Sequence, residues 1–258
     1  MNMALLDICN VNITYDKKNI VSDVSLSIDE GQILGIVGKS GCGKSTLLKA
    51  ILNILPDNAA LTSGKIFYKG QNLNDLSKKS WQEIRGRQIS MIFQNAKTSF
   101  CPVRTIGQQL YETIAEYSAY TKKEIFAQAI DLFDKIRLQN GEKILNSYPF
   151  ELSGGTNQRI AIAIAMLLKP KLLLADEPTS ALDVVSQMQV IKEMMNLQQI
   201  FQTSIILVSH NINLVSRVAD KIAIMQEGKI VEYNFTERIM HNPQHQFTKE
   251  LLQSIYHL

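Results

Sequence analysis

The clearest chemical signal in this sequence is a run of nine residues with the spacing of a phosphate-binding loop. The run fits G-x-x-x-x-G-K-[ST] and consists of Gly38, Lys39, Ser40, Gly41, Cys42, Gly43, Lys44, Ser45 and Thr46. An apolar segment over 33–37 precedes it and a helix-forming segment over 47–52 follows, which predicts strand, loop and helix. In that order the loop N–H groups and the helix N-terminus face phosphate oxygens. Lys44 would reach the β- and γ-phosphates, and the Ser45 hydroxyl could ligate Mg²⁺. The loop therefore predicts a nucleotide without saying which one.

Polar residues follow three later apolar segments, each predicted as a buried strand. They are Gln94 after 89–93, the acids Asp176 and Glu177 after 172–175, and His210 after 204–208. In a parallel sheet the C-terminal ends of the strands form the ligand crevice. Gln94 could reach a metal or water there, Asp176 could hold Mg²⁺, Glu177 could polarise a water, and His210 could contact a γ-phosphate. The alternatives are solvated loop side chains or a structural histidine, but the upstream loop favours the functional interpretation.

A second predicted anion site begins the helix that runs to Leu168. There Leu152-Ser153-Gly154-Gly155 precedes a mainly apolar helical segment. The chain thus has two phosphate-binding helix starts, which either face one ligand within the chain or each complete a site on a second copy.

Composition excludes several classes of protein. Of the 258 residues, 45% are hydrophobic and 20% charged, as in ordinary globular proteins. A net charge of +3 is too small to indicate nucleic-acid binding. The cysteines Cys9, Cys42 and Cys101 have no metal-ligand spacing, so we expect free thiols in a reducing compartment. The first residues do not resemble a signal peptide. The longest strongly apolar run, Ile160–Leu168, is shorter than the ~20 residues of a membrane span.

The remaining pattern predicts the other elements and one further ligand contact. A turn is expected at Thr62-Ser63-Gly64, before a strand over Lys65–Lys69. Tyr15, after the first strand, could stack on an adenine ring or pack on a small sheet. The other predicted elements are strands at Leu5–Ile13 and Val24–Ile28, helices at Ile106–Tyr117 and Lys122–Ile136, a hairpin over 222–231 and a C-terminal helix at Thr248–Tyr256.

The order of these motifs resembles that of the ATP-binding cassette (ABC) ATPase family, over about residues 4–250. The resemblance implies an α/β fold with a P-loop NTPase core and a mostly parallel sheet, an N-terminal antiparallel β subdomain and an inserted α-helical subdomain. The whole chain, 1–258, would be one domain. Its core would span 1–94 and 166–240, the helical signature subdomain 95–165 and a short tail 241–258.

The resemblance also implies a head-to-tail dimer that holds two ATP molecules with Mg²⁺. In one subunit ATP would contact Tyr15, Gly38, Ser40, Gly41, Cys42, Gly43, Lys44, Ser45 and Thr46. Mg²⁺ would be held by Ser45, Gln94 and Asp176, and the catalytic residues would be Glu177, His210 and Gln94. The other subunit would supply its signature residues Ser153, Gly154, Gly155 and Gln158. In this arrangement the helix after the phosphate loop and the helix that begins at Ser153 would both contact ATP.

Two further stretches, 91–102 and 242–252, resemble the peptide/nickel importer branch of that family. The implied function is ATP hydrolysis that powers import of nickel, a metal chelate or short peptides. The implied partners are a second, different ATPase subunit, two permeases and an extracytoplasmic solute-binding protein, with this chain peripheral at the cytoplasmic face of the membrane. Departures from the branch pattern include Cys42, which could make the loop sensitive to thiol reagents, and Ala96, Phe100, Cys101, Thr156, Asn157 and Gln246.

Two other functions are alternatives to transport. A soluble ABC ATPase acting in cluster assembly, DNA repair or translation would usually carry two cassettes, a long coiled coil or strong basic patches, and the sequence shows none of these. A GTPase switch would need an Asn-Lys-x-Asp motif, which is absent from the sequence.

Overall fold

The computed structural model of the chain describes residues 4–94, 99–180 and 182–253. These residues fall into two units, the first within 1–82 and 204–258 and the second within 83–203. Residues 95–98 of the importer-like run, Ala181, and the end of the predicted C-terminal helix lie outside the described residues.

The described residues form ten strands and ten α-helices. The strands are β1 Leu6–Tyr15, β2 Lys18–Ile28, β3 Ile33–Val37, β4 Ala59–Tyr68, β5 Gln71–Asn72, β6 Ile89–Ile92, β7 Leu172–Asp176, β8 Ser204–Ser209, β9 Lys221–Gln226 and β10 Lys229–Phe235. The helices are α1 Lys44–Ile51, α2 Lys78–Ile84, α3 Ile106–Ala115, α4 Lys122–Lys135, α5 Gly141–Asn146, α6 Gly154–Leu167, α7 Val184–Phe201, α8 Ile212–Ser216, α9 Thr236–His241 and α10 Gln246–Gln253.

An antiparallel sheet in the order β2-β1-β4-β5 lies in the first unit, as predicted. The predicted turn at Thr62-Ser63-Gly64 is wrong, because β4 runs through it without a break. The register of β1 against β4 shifts between Cys9 and Asn12. Gly64 has φ +89°, and a Cβ there would lie 2.5 Å from the Asn10 carbonyl oxygen. This glycine therefore marks a β-bulge within a strand rather than a chain reversal.

A second group of strands in the first unit lies in the order β10-β9-β3-β8. β3 pairs in parallel with both β8 and β9, and β10 closes the predicted hairpin antiparallel to β9. All five residues of β3 and all six of β8 are buried, as expected for parallel strands covered on both faces. The register sets Val37 opposite Ser209, so the C-terminal ends of β3 and β8 coincide.

The second unit combines the parallel pair β6 and β7 with the helices α3 to α7. Helix α4 packs against α3, α5 and α6, and α6 packs against α7 and β6. Thr105 begins α3 and Thr121 begins α4, each with a capping box, in which Gln108 and Glu124 bond back to the cap residue. Among the described residues, no helix has the length and apolarity needed to cross a membrane.

Candidate nucleotide site

The phosphate loop follows β3, enters α1 and lies close against neighbouring backbone. Gly43 precedes the first helical residue with φ +107°, and a Cβ there would lie 2.9 Å from the Ile20 carbonyl oxygen. At Gly38 a Cβ would lie 2.1 Å from the Met225 carbonyl oxygen. Since no side chain fits at either position, only glycine allows the loop to run this close to β2 and β9.

The Lys44 side chain lies within the loop. It is 4% exposed, and its Nζ donates to the carbonyl oxygens of Gly38 at 2.8 Å and Lys39 at 3.0 Å. These acceptors supply the polar partners that a buried ammonium group requires. Ser45 and Thr46 follow in the first turn of α1 and are half-buried. A cation, a hydroxyl and a helix N-terminus thus come together, the combination that binds phosphate oxygens.

Cys42 is a structural part of this loop. Burial raises the pKa of its thiol, although the nearby Lys44 ammonium acts in the opposite direction. A thiol with a raised pKa remains protonated at neutral pH and reacts slowly. The Cys42 carbonyl accepts a hydrogen bond from the Gly228 N–H at 3.0 Å, in the turn of the β9–β10 hairpin. The expected sensitivity to thiol reagents is therefore disfavoured by the surroundings of Cys42.

His210 and Tyr15 also belong to the first unit. His210 follows β8 directly and is exposed, one residue beyond the Ser209 that pairs with Val37 of β3. This register sets His210 beside the strand end that leads into Gly38. Tyr15 is the half-buried last residue of β1, paired with Lys18 at the start of β2.

The second unit brings Gln94 and Glu177 into contact. β6 pairs with β7 so that Ile92 faces Ala175, and the two polar residues each follow two positions later. The Gln94 Nε2 donates to Glu177 Oε2 at 3.3 Å. Asp176, the last residue of β7, is 4% exposed. A buried carboxylate, a second carboxylate and an amide therefore end two adjacent parallel strands.

The Glu177 backbone is unusual for a residue with a side chain. Its φ is +44°, in the left-handed region that costs energy for residues other than glycine. The Glu177 carbonyl accepts a hydrogen bond from the Ser180 N–H at 3.2 Å, within the turn that follows β7. Strain of this kind clusters at functional sites and here sets the direction in which Glu177 leaves the strand.

The predicted signature segment begins α6 as expected. Ser153 is the N-cap, and its Oγ accepts from the Thr156 N–H at 3.2 Å. Within the part of the chain that the structure describes, a Cβ at Gly154 would approach only Leu182 Cδ2, at 3.8 Å, and one at Gly155 would lie 3.8 Å from Ser186 Oγ. These are ordinary contact distances, so packing within the described residues does not demand glycine at either position. An anionic ligand at the helix N-terminus would explain both glycines.

Asn157 holds the signature segment in place through hydrogen bonds. From the sequence alone, Asn157 is identified only as a departure from the family pattern. Its side chain is fully buried, and Nδ2 donates to the carbonyl oxygens of Pro149 at 2.8 Å, Ser153 at 3.2 Å and Leu152 at 3.3 Å. Asn157 therefore fixes the chain that enters the helix. Gln158, the last predicted signature residue, is 5% exposed.

Asp183 is the N-cap of α7, as Ser153 is of α6. Its carboxylate accepts from Ser186 N at 3.0 Å and from Ser186 Oγ at 2.6 Å. These hydrogen bonds hold the pKa of Asp183 below its usual value. The observed role of Asp183 is thus to cap a helix, while its neighbour Leu182 borders Gly154.

The predicted magnesium ligands fit the metal by donor type. Ser45, Gln94 and Asp176 offer a hydroxyl, an amide oxygen and a carboxylate, and Mg²⁺ prefers oxygen. Within the described part of the chain, no cluster of three or more His, Cys, Asp and Glu side chains could hold a metal ion. A magnesium ion bound through few protein ligands, water and phosphate oxygens suits this donor set.

The ABC transporter family model matches residues 21–180. The oligopeptide transport ATP-binding protein AmiE of Streptococcus pneumoniae is 42% identical over 236 residues, which cover 91% of this chain and 66% of AmiE. The metal-staphylopine import system ATP-binding protein CntD of Staphylococcus aureus is 35% identical over 254 residues, 98% of this chain and 93% of CntD. The chain thus spans about two thirds of AmiE and nearly all of CntD.

Solved structures agree on the fold. A dimeric post-hydrolysis structure of the ATP-binding cassette MJ0796, bound to ADP and Pi, superposes with a TM-score of 0.78 at 27% identity and covers 90% of this chain and 98% of that one. CbiO1 from Clostridium perfringens, part of the transporter complex cbiONQ, superposes with a TM-score of 0.80 over 98% of both chains, and its 22% identity supports the fold alone. The predicted α/β P-loop NTPase fold is confirmed.

Proposed function

Because this chain belongs to the ABC transporter family of ATPases, we propose that it hydrolyses ATP to power the import of short peptides or metal chelates. The hydrogen bond between Gln94 and Glu177 carries the proposal for hydrolysis, since it sets a carboxylate and an amide together at the strand ends. The cargo classes are those in the names of the relatives, oligopeptide for AmiE and metal-staphylopine for CntD.

ATP would bind through the phosphate loop. Backbone N–H groups from Gly38 to Thr46 and the Lys44 ammonium would hold the β- and γ-phosphates, and Tyr15 would stack on the adenine. Ser45, Gln94 and Asp176 would hold Mg²⁺, which when bound neutralises charge developing on the phosphates. The support is the buried Lys44 side chain, already positioned inside the loop by two carbonyl oxygens.

Hydrolysis would depend on residues that follow the strands. Glu177 would polarise a water for in-line attack on the γ-phosphorus, and Gln94 would orient the same water through its amide. His210 would contact the γ-phosphate. The hydrogen bond from Gln94 to Glu177 supports this assignment, because it brings the two side chains together at the strand ends.

A second ATPase subunit would complete each site. Ser153, Gly154, Gly155 and Gln158 of one subunit would face the γ-phosphate held by the other, in a head-to-tail dimer with a different cassette. Within the described residues, a Cβ at Gly154 or Gly155 would make only ordinary contacts. This supports the view that both residues are glycine because a ligand held by the other subunit approaches them. ATP binding would close this dimer, and hydrolysis would open it.

Coupling to two permeases would use a groove in the second unit. The groove encloses about 250 Å³ between the end of β6 and the helices α3 and α6, with Phe93, Phe100, Tyr117 and Leu168 among its lining residues. Phe93 is 45% exposed, so an apolar side chain docked in the groove could cover it. A permease helix would dock here at the cytoplasmic face of the membrane, with an extracytoplasmic binding protein delivering cargo.

An uptake assay tests the function. A deletion strain that carries the wild-type chain should accumulate either a labelled di- or oligopeptide or a labelled nickel chelate, and one that carries Lys44→Ala should not. Phe93→Asp should abolish uptake while the purified chain still binds ATP. Equal uptake with and without the chain, for both cargo classes, would contradict the proposal.

A further inference from the structure

We propose that Phe247, on the C-terminal helix α10, is a positioning residue for the phosphate loop and acts through Lys39. The inference rests on the proposed ATP binding of that loop. It extends the function to residues 242–253, whose sequence resembles an importer tail but which have no role in the mechanism above.

Phe247 contacts the loop through a cation–π interaction. Lys39 Nζ lies 5.5 Å from the centroid of the Phe247 ring, within the range of such pairs. Phe247 is 5% exposed, so the ring is fixed by its surroundings, whereas Lys39 is exposed. The Phe247 ring therefore restrains the Lys39 side chain, which is otherwise exposed to solvent.

Lys39 also contributes to the arrangement of Lys44. The Lys39 carbonyl accepts a hydrogen bond from Lys44 Nζ at 3.0 Å and one from the Cys42 N–H at 3.3 Å. Its side chain thus contacts the tail while its backbone holds the lysine expected to bind phosphate. Displacement of Lys39 would move the carbonyl that orients the Lys44 ammonium.

Hydrogen bonds hold the tail in place. The Glu232 carboxylate of β10 accepts from Gln244 N at 2.8 Å and from His245 N at 3.1 Å. His245 Nδ1 accepts from the Phe247 N–H at 3.2 Å. The hairpin that carries Glu232 reaches the loop at its turn, where Gly228 bonds to Cys42. One hairpin therefore supports both the loop and the helix that contacts it.

Restraint of the loop should raise its affinity for nucleotide. A loop already held in the binding conformation loses less conformational entropy when phosphate binds. Phe247 would thus favour ATP binding without touching ATP, and its removal should weaken binding rather than abolish it. A cation–π pair at an exposed site corresponds to about a two- to fivefold change in affinity.

Titration of the full-length chain with a fluorescent ATP analogue tests the inference. Phe247→Leu keeps an apolar side chain but removes the ring, and Lys39→Met removes the cation from an exposed position. Each should weaken binding by about two- to fivefold, and the double variant should bind no more weakly than the single ones. Lys39→Arg, which keeps a cation able to lie over the ring, should retain nearly wild-type affinity.

Leu252→Ala is the matched control, because Leu252 is a buried residue of the same helix. It should lower the thermal midpoint yet leave affinity for the analogue unchanged. Wild-type affinity in Phe247→Leu, or additive losses in the double variant, would overturn the inference. If Phe247→Leu binds the analogue as the wild type does and Lys44→Ala does not bind it, the inference fails but the proposed function stands. If the wild-type chain does not bind the analogue, the inference and the proposed function both fail.

Discussion

The Gln94 amide donates a hydrogen bond to the Glu177 carboxylate, although 83 positions separate the two residues along the chain. Parallel pairing of β6 with β7 brings them together, since each follows the facing residues Ile92 and Ala175 by two positions. This hydrogen bond orients the Glu177 carboxylate, in the residue that follows Asp176. Two side chains able to orient a single water are thus placed by backbone register.

Lys44→Ala should abolish binding of ATP by the purified chain. The substitution removes the ammonium and the hydrogen bonds that it donates to the Gly38 and Lys39 carbonyl oxygens. Loss of charge-assisted hydrogen bonds should reduce affinity by roughly 100-fold or more, measured by titration with a fluorescent ATP analogue. Lys49→Ala, later in the same helix, is the control and should bind as the wild type does. Unchanged affinity in Lys44→Ala would refute the assignment of the phosphate loop.

Gly154→Asp should preserve folding but abolish turnover. Among the described residues, a Cβ at this position meets only Leu182 Cδ2, at 3.8 Å, and a carboxylate in the first turn of α6 is favourable for the helix. The same carboxylate would repel a phosphate presented by the partner subunit. In the complex copurified through a tag on this chain, ATP hydrolysis should fall by roughly a hundredfold with the thermal midpoint maintained. Gly154→Ala should have a much milder effect, and full activity in Gly154→Asp would contradict the role of the signature segment.

Glu232→Gln should destabilise the tail in a pH-dependent way. Burial opposes ionisation of Glu232, but the nearby Thr248 hydroxyl and hydrogen bonds from the Gln244 and His245 N–H groups hold its pKa below the ordinary value of 4.5. A carboxyl group whose pKa is lower in the folded state stabilises the protein above its unfolded pKa, and this contribution disappears as the pH falls through the folded pKa. The thermal midpoint of the variant should therefore lie below that of the wild type at pH 7, and the difference should shrink below about pH 4.5.

Thermal unfolding followed by circular dichroism between pH 3 and pH 7 measures this difference. Glu237→Gln, an exposed residue of α9, is the control and should differ little from the wild type throughout. A difference between Glu232→Gln and the wild type that stays constant with pH would show that ionisation of Glu232 does not stabilise the tail.

The succession of strands along the chain and the phosphate loop could be predicted because each depends on local sequence. Buried apolar segments followed at once by Gln94, Asp176 or His210 indicate parallel strand ends, and the glycines around Lys44 indicate the loop. The predicted turn at Gly64 is wrong because a glycine beside Thr62 and Ser63 signals a turn and a bulge equally well. Glycine is required there because a Cβ would collide with the Asn10 carbonyl oxygen. Asn10 belongs to β1 and lies 54 positions earlier in the chain.

Contacts between distant residues could not be predicted from one sequence. Asn157 seemed only a departure from a pattern, yet its amide meets three carbonyl oxygens whose positions depend on the path of the chain before α6. Lys39 and Phe247 lie at opposite ends of the chain, and no local signal pairs a lysine with a ring. The partner subunit expected to face Gly154 leaves no trace in the sequence beyond the glycines themselves.

Steady-state ATP hydrolysis by the copurified complex, compared between the wild type and Glu177→Gln, tests the proposed function most directly. The amide cannot accept a proton from water, so turnover should fall by at least about a hundredfold while ATP binding is retained and the closed dimer accumulates. Turnover near the wild-type rate in Glu177→Gln would show that Glu177 does not activate the water, and would contradict the proposed mechanism.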